Sequence, residues 1–262
     1  MGLTAARFKG GPHGPTMAAM FVDWLFILAV GLAAGTLGGI VGFGSSVALV
    51  PVLTVMLGPK QAVPIMAVAS LMANLSRVAV WWREVDWRAV AAYSLPAVPA
   101  AALGARALVA MDARAVEAVL GAFLIAMVPA RRWLGARGWR VRLPHLAAVG
   151  AGIGFLTGIV ASTGPVNAPF FLAYGLVKGA YLSTEALGSA AVYLTKAAVF
   201  HQAGVLPAEL LGRGLLVGSS LMAGSWLAKR IVQRMQPGEF RLLIDALLLA
   251  AGATMLVQVV RG

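Results

Sequence analysis

Long hydrophobic runs alternate with short polar or basic stretches along the whole chain. A helix needs about 20 predominantly apolar residues to cross a bilayer, and several of the runs reach that length. They predict helices at 20–41, 47–57, 61–82, 87–111 and 115–130 in the first half of the chain, and at 145–161, 167–177, 180–201, 208–228 and 240–259 in the second half. The pattern therefore predicts an all-α polytopic membrane protein with about eight main spans and two short half-helices.

Composition supports this class and excludes others. The chain is 60% hydrophobic and 11% charged, whereas soluble domains are about 45–50% apolar and about 25% charged. The net charge of +12 comes from basic residues at the ends of apolar runs, which is typical of cytoplasmic loops and argues against a nucleic-acid partner. Without cysteine, the chain has neither a catalytic thiol nor a thiolate metal site, and we expect no cofactor and no metal.

The two halves of the sequence resemble each other at an offset of 119 residues. At this offset the triplet Gly31, Gly35 and Gly39 matches Gly150, Gly154 and Gly158, and Ser76-Arg77 matches Thr195-Lys196. We interpret this as a gene duplication. It predicts a flexible tail at 1–19, a first transmembrane repeat at 20–130, a basic cytoplasmic linker at 131–144 and a second repeat at 145–260.

The length of the first apolar segment favours inverted repeats. Residues 20–57 number 38, which is about 57 Å of helix, and the hydrocarbon core is only about 30 Å thick. The segment therefore turns back after its break, which leaves an odd number of crossings in each half. Parallel repeats remain the alternative, since the distribution of positive charge barely separates the two arrangements.

Each glycine triplet is followed by a break in the apolar pattern. Glycines spaced by four lie on one helical face and allow close helix packing. The breaks "GFGSS" at 42–46 and "STGPVN" at 162–167 are different, because irregular backbone at membrane depth is tolerated only inside protein or beside a wet cavity. We expect Ser45, Ser46, Ser162 or Thr163 to cap the second helical piece, with Pro165 in its first turn. A kink that binds nothing is the alternative.

One cation lies within an apolar span in each half. A charge inside a span is energetically costly and is a functional candidate by default. Arg77 shares a helical face with Ser70 and Asn74, and Lys196 shares one with Ser189 and Tyr193. Helix N-termini favour anions, so these faces and the breaks predict a small-anion site. The alternative is that both cations snorkel to the membrane interface.

The predicted anion site consists of Gly42, Phe43, Gly44, Ser45, Ser46, Asn74, Arg77, Ser162, Thr163, Gly164, Asn167, Ser189, Tyr193 and Lys196. Acidic residues are few, and two of them are candidates for proton or charge coupling. Asp245 is placed to neutralise Lys196 or to pair with Arg241 one turn earlier. Glu185 shares a helical face with Ser189 and Lys196.

A glycine-rich break in the first helix, a proline soon after it, a basic residue late in the next span and a 4+4 duplication together resemble the sulfite exporter TauE/SafE family of 4-toluene sulfonate uptake permease-like transporters. The resemblance extends over about 25–255. It implies a secondary transporter of sulfite, organosulfonates or related small anions in the bacterial cytoplasmic membrane, with a proton or another ion for coupling. The chain differs from the usual family pattern at Ser45-Ser46 and at "STGPVNAP".

We therefore expect alternating-access anion transport rather than an enzyme, with the lipid bilayer as surroundings and a homodimer left open. A passive anion channel is one alternative. Another is an intramembrane serine hydrolase, because "GFGSS" loosely resembles the serine motif of rhomboid proteases and the chain contains His145 and His201. Nucleophilic catalysis needs a base within hydrogen-bond reach of the serine.

Overall fold

The computed structural model describes residues 17–57, 59–110, 140–160, 163–236, 238, 239 and 242. Eight α-helices occupy this part of the chain: α1 (Met17–Val41), α2 (Gly44–Leu57), α3 (Pro59–Trp81), α4 (Trp87–Ala110), α5 (Leu143–Ile159), α6 (Gly164–Tyr174), α7 (Lys178–Gln202) and α8 (Ala208–Arg234). A single 3-10 turn, Trp82–Glu84, links α3 to α4. The predicted all-helical class is confirmed for the described residues.

Several predictions concern residues outside the described part of the chain. They include most of the N-terminal tail, the predicted helix at 115–130, nearly all of the basic linker and almost the whole predicted helix at 240–259. Ser162 and Asp245 also lie outside the described residues.

The first break, predicted at 42–46, is shorter in the structure. Helix α1 ends at Val41 and α2 begins at Gly44, so only Gly42 and Phe43 separate them. Gly42 has a φ angle of +96°, which glycine adopts without the steric strain that a Cβ atom would add. Ser45 and Ser46 consequently lie within the first turn of α2, and the prediction that one of them occupies the capping position is wrong. Pro165 stands in the first turn of α6, as expected.

The glycine triplets hold two helix pairs together at short range. A Cβ atom on Gly35 of α1 would lie 2.6 Å from the Cα atom of Leu221 in α8. On α5, a Cβ atom at Gly154 would lie 2.7 Å from the Cα atom of Ala97 in α4. Since real Cβ atoms do not approach other atoms so closely, the glycines permit backbone-to-backbone contact. Their predicted packing role is confirmed.

Helices α3 and α7 cross the centre of the bundle in opposite directions. Gly179 at the start of α7 lies against the Trp81 ring at the end of α3. Near the other end of α7, Phe200 shares a hydrophobic cluster with Val68 from the first half of α3. The antiparallel arrangement brings the beginning of α7 to the level of the end of α3.

The half-helices α2 and α6 have 14 and 11 residues, which correspond to about 21 and 17 Å. Neither length spans a hydrocarbon core of about 30 Å. Leu49 and Leu53 of α2 pack in one cluster with Ile27 of α1 and Ile65 of α3. Helix α2 therefore returns alongside α1 after the break.

The surface of the described bundle suits a lipid environment. Three segments of the described chain are long and apolar enough to cross a membrane: Phe21–Val41, Gln61–Glu84 and Trp87–Ala110. Large apolar side chains such as Phe21, Leu95 and Leu194 are more than half exposed, which would be a liability in water. Helix α7 is also long enough to cross a membrane, but it contains several polar residues, of which Glu185 and Lys196 are buried in the protein. The described helices thus support a membrane protein, while the predicted number of eight spans remains a prediction.

Candidate functional site

The two helix breaks meet at a small polar cavity inside the bundle. Phe43 of the first break lies against Gly164 at the start of α6. The cavity offers about 20 Å³ to the centre of a water-sized sphere, enough for one or two water molecules. Its wall consists of Gly42, Phe43, Ser45, Ser46, Ser70, Ala73, Asn74, Arg77, Tyr93, Thr157, Thr163, Gly164, Glu185, Ser189, Val192 and Tyr193.

Helix α3 contributes one polar face to this cavity. Ser70, Asn74 and Arg77 follow each other at helical spacing, and all three are buried. The Asn74 Nδ2 donates to the carbonyl of Ser70 at 2.7 Å, while its Oδ1 accepts a hydrogen bond from Arg77 Nη2. The Ser70 hydroxyl has no hydrogen-bond partner within the described residues. A buried hydroxyl that lines a cavity without a partner is suited to a ligand.

The cation of this face pairs with a carboxylate from the other half of the chain. Arg77 Nη1 and Glu185 Oε2 lie 3.1 Å apart, with side chains only 7% and 3% exposed. The Oε1 atom of Glu185 accepts hydrogen bonds from Ser189 Oγ at 2.6 Å and from Asn167 Nδ2 at 3.1 Å. Arg77 also donates to the carbonyl of Gly42. The structure thus places Arg77 inside the protein, and snorkelling to the interface does not describe it.

Lys196 occupies a different environment. It is 1% exposed, and its Nζ atom donates to the carbonyls of Thr157 at 2.9 Å and Val160 at 2.7 Å. These carbonyls belong to the last turn of α5, where a cation interacts favourably with the helix dipole. Lys196 is buried rather than interfacial, but it is not among the residues that line the cavity.

Arg77 and Lys196 both donate to a backbone carbonyl at the end of the first helix of their half. Arg77 bonds the carbonyl of Gly42 just after α1, and Lys196 bonds the end of α5 in the same way. Within the described residues, Arg77 has a carboxylate beside it and Lys196 does not. At the 119-residue offset, the residue that corresponds to Glu185 is Met66, which is fully buried. The two halves therefore match in the cation and differ in the counter-charge.

Most of the residues predicted for the site do surround the cavity. Its wall contains Gly42, Phe43, Ser45, Ser46, Asn74, Arg77, Thr163, Gly164, Ser189 and Tyr193, together with the predicted coupling residue Glu185. Gly44, Asn167 and Lys196 do not line it. Asn167 reaches the site through its hydrogen bond to Glu185.

Five wall residues are absent from the predicted anion site: Ser70, Ala73, Tyr93, Thr157 and Val192. Tyr93 of α4 is 1% exposed, and its ring centroid lies 5.3 Å from that of Phe171. Thr157 of α5 donates to the carbonyl of Ile153 at 2.7 Å and is also hydrogen-bonded to Thr163. The available signal for Tyr93 was its polar hydroxyl within an apolar span, since the chain has only four tyrosines.

The histidines do not form a catalytic pair with the break serines in the described structure. His145 and His201 are both exposed at helix ends. The Nδ1 atom of His145 accepts a hydrogen bond from the backbone N–H of Arg142 at 3.1 Å. Ser45 and Ser46 are buried beside the cavity, whose wall contains no histidine. This geometry does not favour the hydrolase alternative.

Interrupted helices that meet around a buried polar site inside a membrane bundle define a class of protein, the membrane transporters with discontinuous helices. Residues 27–255 match the family model described as sulfite exporter TauE/SafE. The chain therefore belongs to the sulfite exporter TauE/SafE family, a family of membrane transporters. No curated protein and no solved structure matches the chain in the corresponding comparisons.

Proposed function

We propose that this chain is a secondary transporter of small sulfur oxyanions, sulfite or organosulfonates, which crosses the bacterial cytoplasmic membrane several times and binds its substrate in the central cavity. The observation that carries this proposal is the position of Arg77. A buried guanidinium lies in the wall of a small cavity where the two helix breaks meet. Guanidinium groups suit planar or forked recognition of oxyanions.

The remaining donors around the cavity fit an oxyanion. Ser45 and Ser46 belong to the first turn of α2, where backbone N–H groups lack intrahelical partners and the helix dipole favours negative charge. The hydroxyl of Ser70 has no partner among the described side chains and backbone. Oxygen atoms of a sulfite or sulfonate group would accept from such donors. The proposed binding residues are therefore the hydrogen-bond donors of the cavity wall, with Arg77 at their centre, and the carboxylate of Glu185 is not one of them.

We further propose that the two halves are inverted repeats and that they rock against each other. The antiparallel course of α3 and its counterpart α7 supports this arrangement. So does the pairing of α1 with α8 and of α5 with α4, since each first helix packs against the last described helix of the other half. In other transporters, alternating access occurs by rocking of one repeat against the other.

Exchange of radiolabelled sulfite and methanesulfonate in proteoliposomes tests this function. Arg77→Ala strands the buried carboxylate of Glu185 and risks misfolding. A second variant, Arg77→Met with Glu185→Gln, removes both charges together and leaves no buried charge unpaired. We expect both variants to exchange no faster than protein-free liposomes, and the double variant to elute from size exclusion like the unmodified protein.

Arg213→Ala is the matched control, because Arg213 pairs with the exposed Glu209 and lies outside the cavity wall. It should exchange at the normal rate. Normal exchange by the Arg77 variants would refute the site. Single-channel currents in planar bilayers would instead identify a channel.

A further inference from the structure

The carboxylate of Glu185 already pairs with the guanidinium of Arg77, which is the group that a bound anion would need. Glu185 Oε2 lies 3.1 Å from Arg77 Nη1, and both side chains line the cavity. Two further donors of Arg77 are directed to the Gly42 carbonyl and to Asn74 Oδ1. The cavity beside the pair holds one or two water molecules. A four-atom oxyanion therefore gains access to Arg77 only when Glu185 moves away or loses its charge.

We propose that Glu185 is a resident anion that exchanges with the substrate on Arg77, and that a proton neutralises Glu185 when the substrate binds. This inference rests on the function proposed above and names the coupling at the same site. The exchange balances in charge: the Arg77–Glu185 ion pair, a monoanion and a proton become an Arg77–monoanion pair and a neutral Glu185. When the anion leaves on the other side, the proton leaves as well and the ion pair reforms.

Electrostatics inside the bundle requires this linkage. Two negative charges beside one buried cation leave one charge uncompensated, which is costly at low dielectric. A neutral Glu185 removes that cost. By reciprocity, an anion on Arg77 favours protonation of Glu185 to the same extent that a proton on Glu185 favours anion binding. Coupling of this kind needs no contact between the proton and the anion.

Among the described residues around Glu185, no second charged group could take the place of Arg77 as its partner. Helix α3 contributes Arg77, α4 contributes the hydroxyl of Tyr93, and α6 contributes the amide of Asn167. On α7 itself, Tyr181 lies one turn earlier and donates to the carbonyl of Val41 at 3.1 Å. Acidic residues of the α3–α4 connection approach α7 elsewhere: Glu84 at Gly179 and Asp86 at Thr184.

Neutral partners also preserve the position of Glu185 after protonation. Ser189 and Asn167 both bond its Oε1 atom, so a protonated Oε2 is released from Arg77 while the other oxygen stays anchored. At the offset from Glu185 the first half has Met66 rather than an acid. One proton per bound monoanion follows from the charge balance of the exchange at Glu185.

Sulfite uptake into proteoliposomes under an imposed pH gradient tests the coupling, with Glu185→Gln as the test variant and Glu209→Gln as the control. Glutamine keeps the shape of Glu185 and, through its carbonyl oxygen, the hydrogen bonds from Ser189 and Asn167. It has no charge to pair with Arg77 and cannot exchange a proton. Sulfite itself titrates, and this contribution is equal in all three proteins. We expect the unmodified protein and Glu209→Gln to accumulate up to about tenfold more sulfite per pH unit than Glu185→Gln.

Exchange of sulfite at equal pH on both sides provides the second measurement. Glu185→Gln should retain this exchange, because the neutral side chain leaves Arg77 open to the anion. Retained exchange together with lost gradient-driven accumulation supports the proposal, whereas equal accumulation by the variant and the unmodified protein overturns it. A complete loss of exchange in a well-folded Glu185→Gln protein would also overturn it, since the charge would then be needed for movement itself. Absence of any sulfite exchange by the unmodified protein would refute the proposed function instead.

Discussion

The contact between α5 and α4 yields a stability prediction with an internal control on one helix. Gly154 and Gly152 are two residues apart on α5. A Cβ atom at Gly154 would lie 2.7 Å from the Cα atom of Ala97, whereas one at Gly152 would meet nothing within 4 Å. The change to alanine has the same effect on helix propensity at both positions, a gain of about 0.5–1 kcal/mol. The difference between the two variants therefore reports the packing alone.

The magnitude follows from the required displacement. Ordinary van der Waals contact begins near 3.4 Å, and the carbonyl oxygen of Ala97 lies even closer than its Cα atom, so the backbones must separate by at least about 0.7 Å to admit the methyl group. Inserting a methyl group into a well-packed interface costs about 1–3 kcal/mol. For a chain of this size, 1 kcal/mol corresponds to about 2–4 °C in melting temperature. We expect Gly154→Ala to melt roughly 2–12 °C below Gly152→Ala by this conversion.

Size-exclusion chromatography of the detergent-solubilised protein after heating measures the apparent melting temperature of both variants. Gly152→Ala should melt at or slightly above the temperature of the unmodified protein. If Gly154→Ala equals or exceeds Gly152→Ala in stability, the helices do not touch at this glycine, and the packing explanation of both triplets fails.

Two further predictions concern polar residues near the cavity. Lys196→Met should lower the melting temperature, because the last turn of α5 loses its cation. It should weaken sulfite binding in detergent less than the double change Arg77→Met with Glu185→Gln does. An equal loss of affinity would show that Lys196 takes part in binding. Ser70→Ala should leave the melting temperature unchanged or raise it, since the Ser70 hydroxyl has no partner among the described atoms. It should weaken sulfite binding about 2–10-fold if that hydroxyl donates to the anion. Unchanged binding would exclude the hydroxyl from the site.

The positions of the helices could be predicted from sequence because their signals are local. Apolar runs and helix-breaking glycines act over a few residues, so predicted and observed ends of α1, α3 and α4 differ by at most three residues. Glycines at a spacing of four likewise identify a packing face without knowledge of the partner helix. The identity of that partner, α8 for Gly35 and α4 for Gly154, required the structure.

The partner of Glu185 could not be predicted in the same way. Sequence places Glu185 on one face with Ser189 and Lys196, and that grouping is correct for a single helix. The decisive contact, however, joins residues 108 positions apart. It depends on the antiparallel course of α3 and α7, which brings Glu185 near the start of α7 to the level of Arg77 near the end of α3. Helical spacing contains no information about this relation, and the same limit applies to Tyr93 of α4.

The contacts of Arg77 and Lys196 also change how the duplicated cation is interpreted. Each half places a basic side chain on the carbonyls at the end of its first helix, Arg77 after α1 and Lys196 on α5. This action stabilises an interrupted helix whether or not an anion binds, so two matching cations do not by themselves indicate two halves of one anion site. The evidence for a site is what differs between the halves. Among the described residues, Arg77 combines the helix-end contact with a paired carboxylate and a place in the cavity wall, and Lys196 does not line the cavity. Arg77 is therefore the cation through which substrate and proton would be linked.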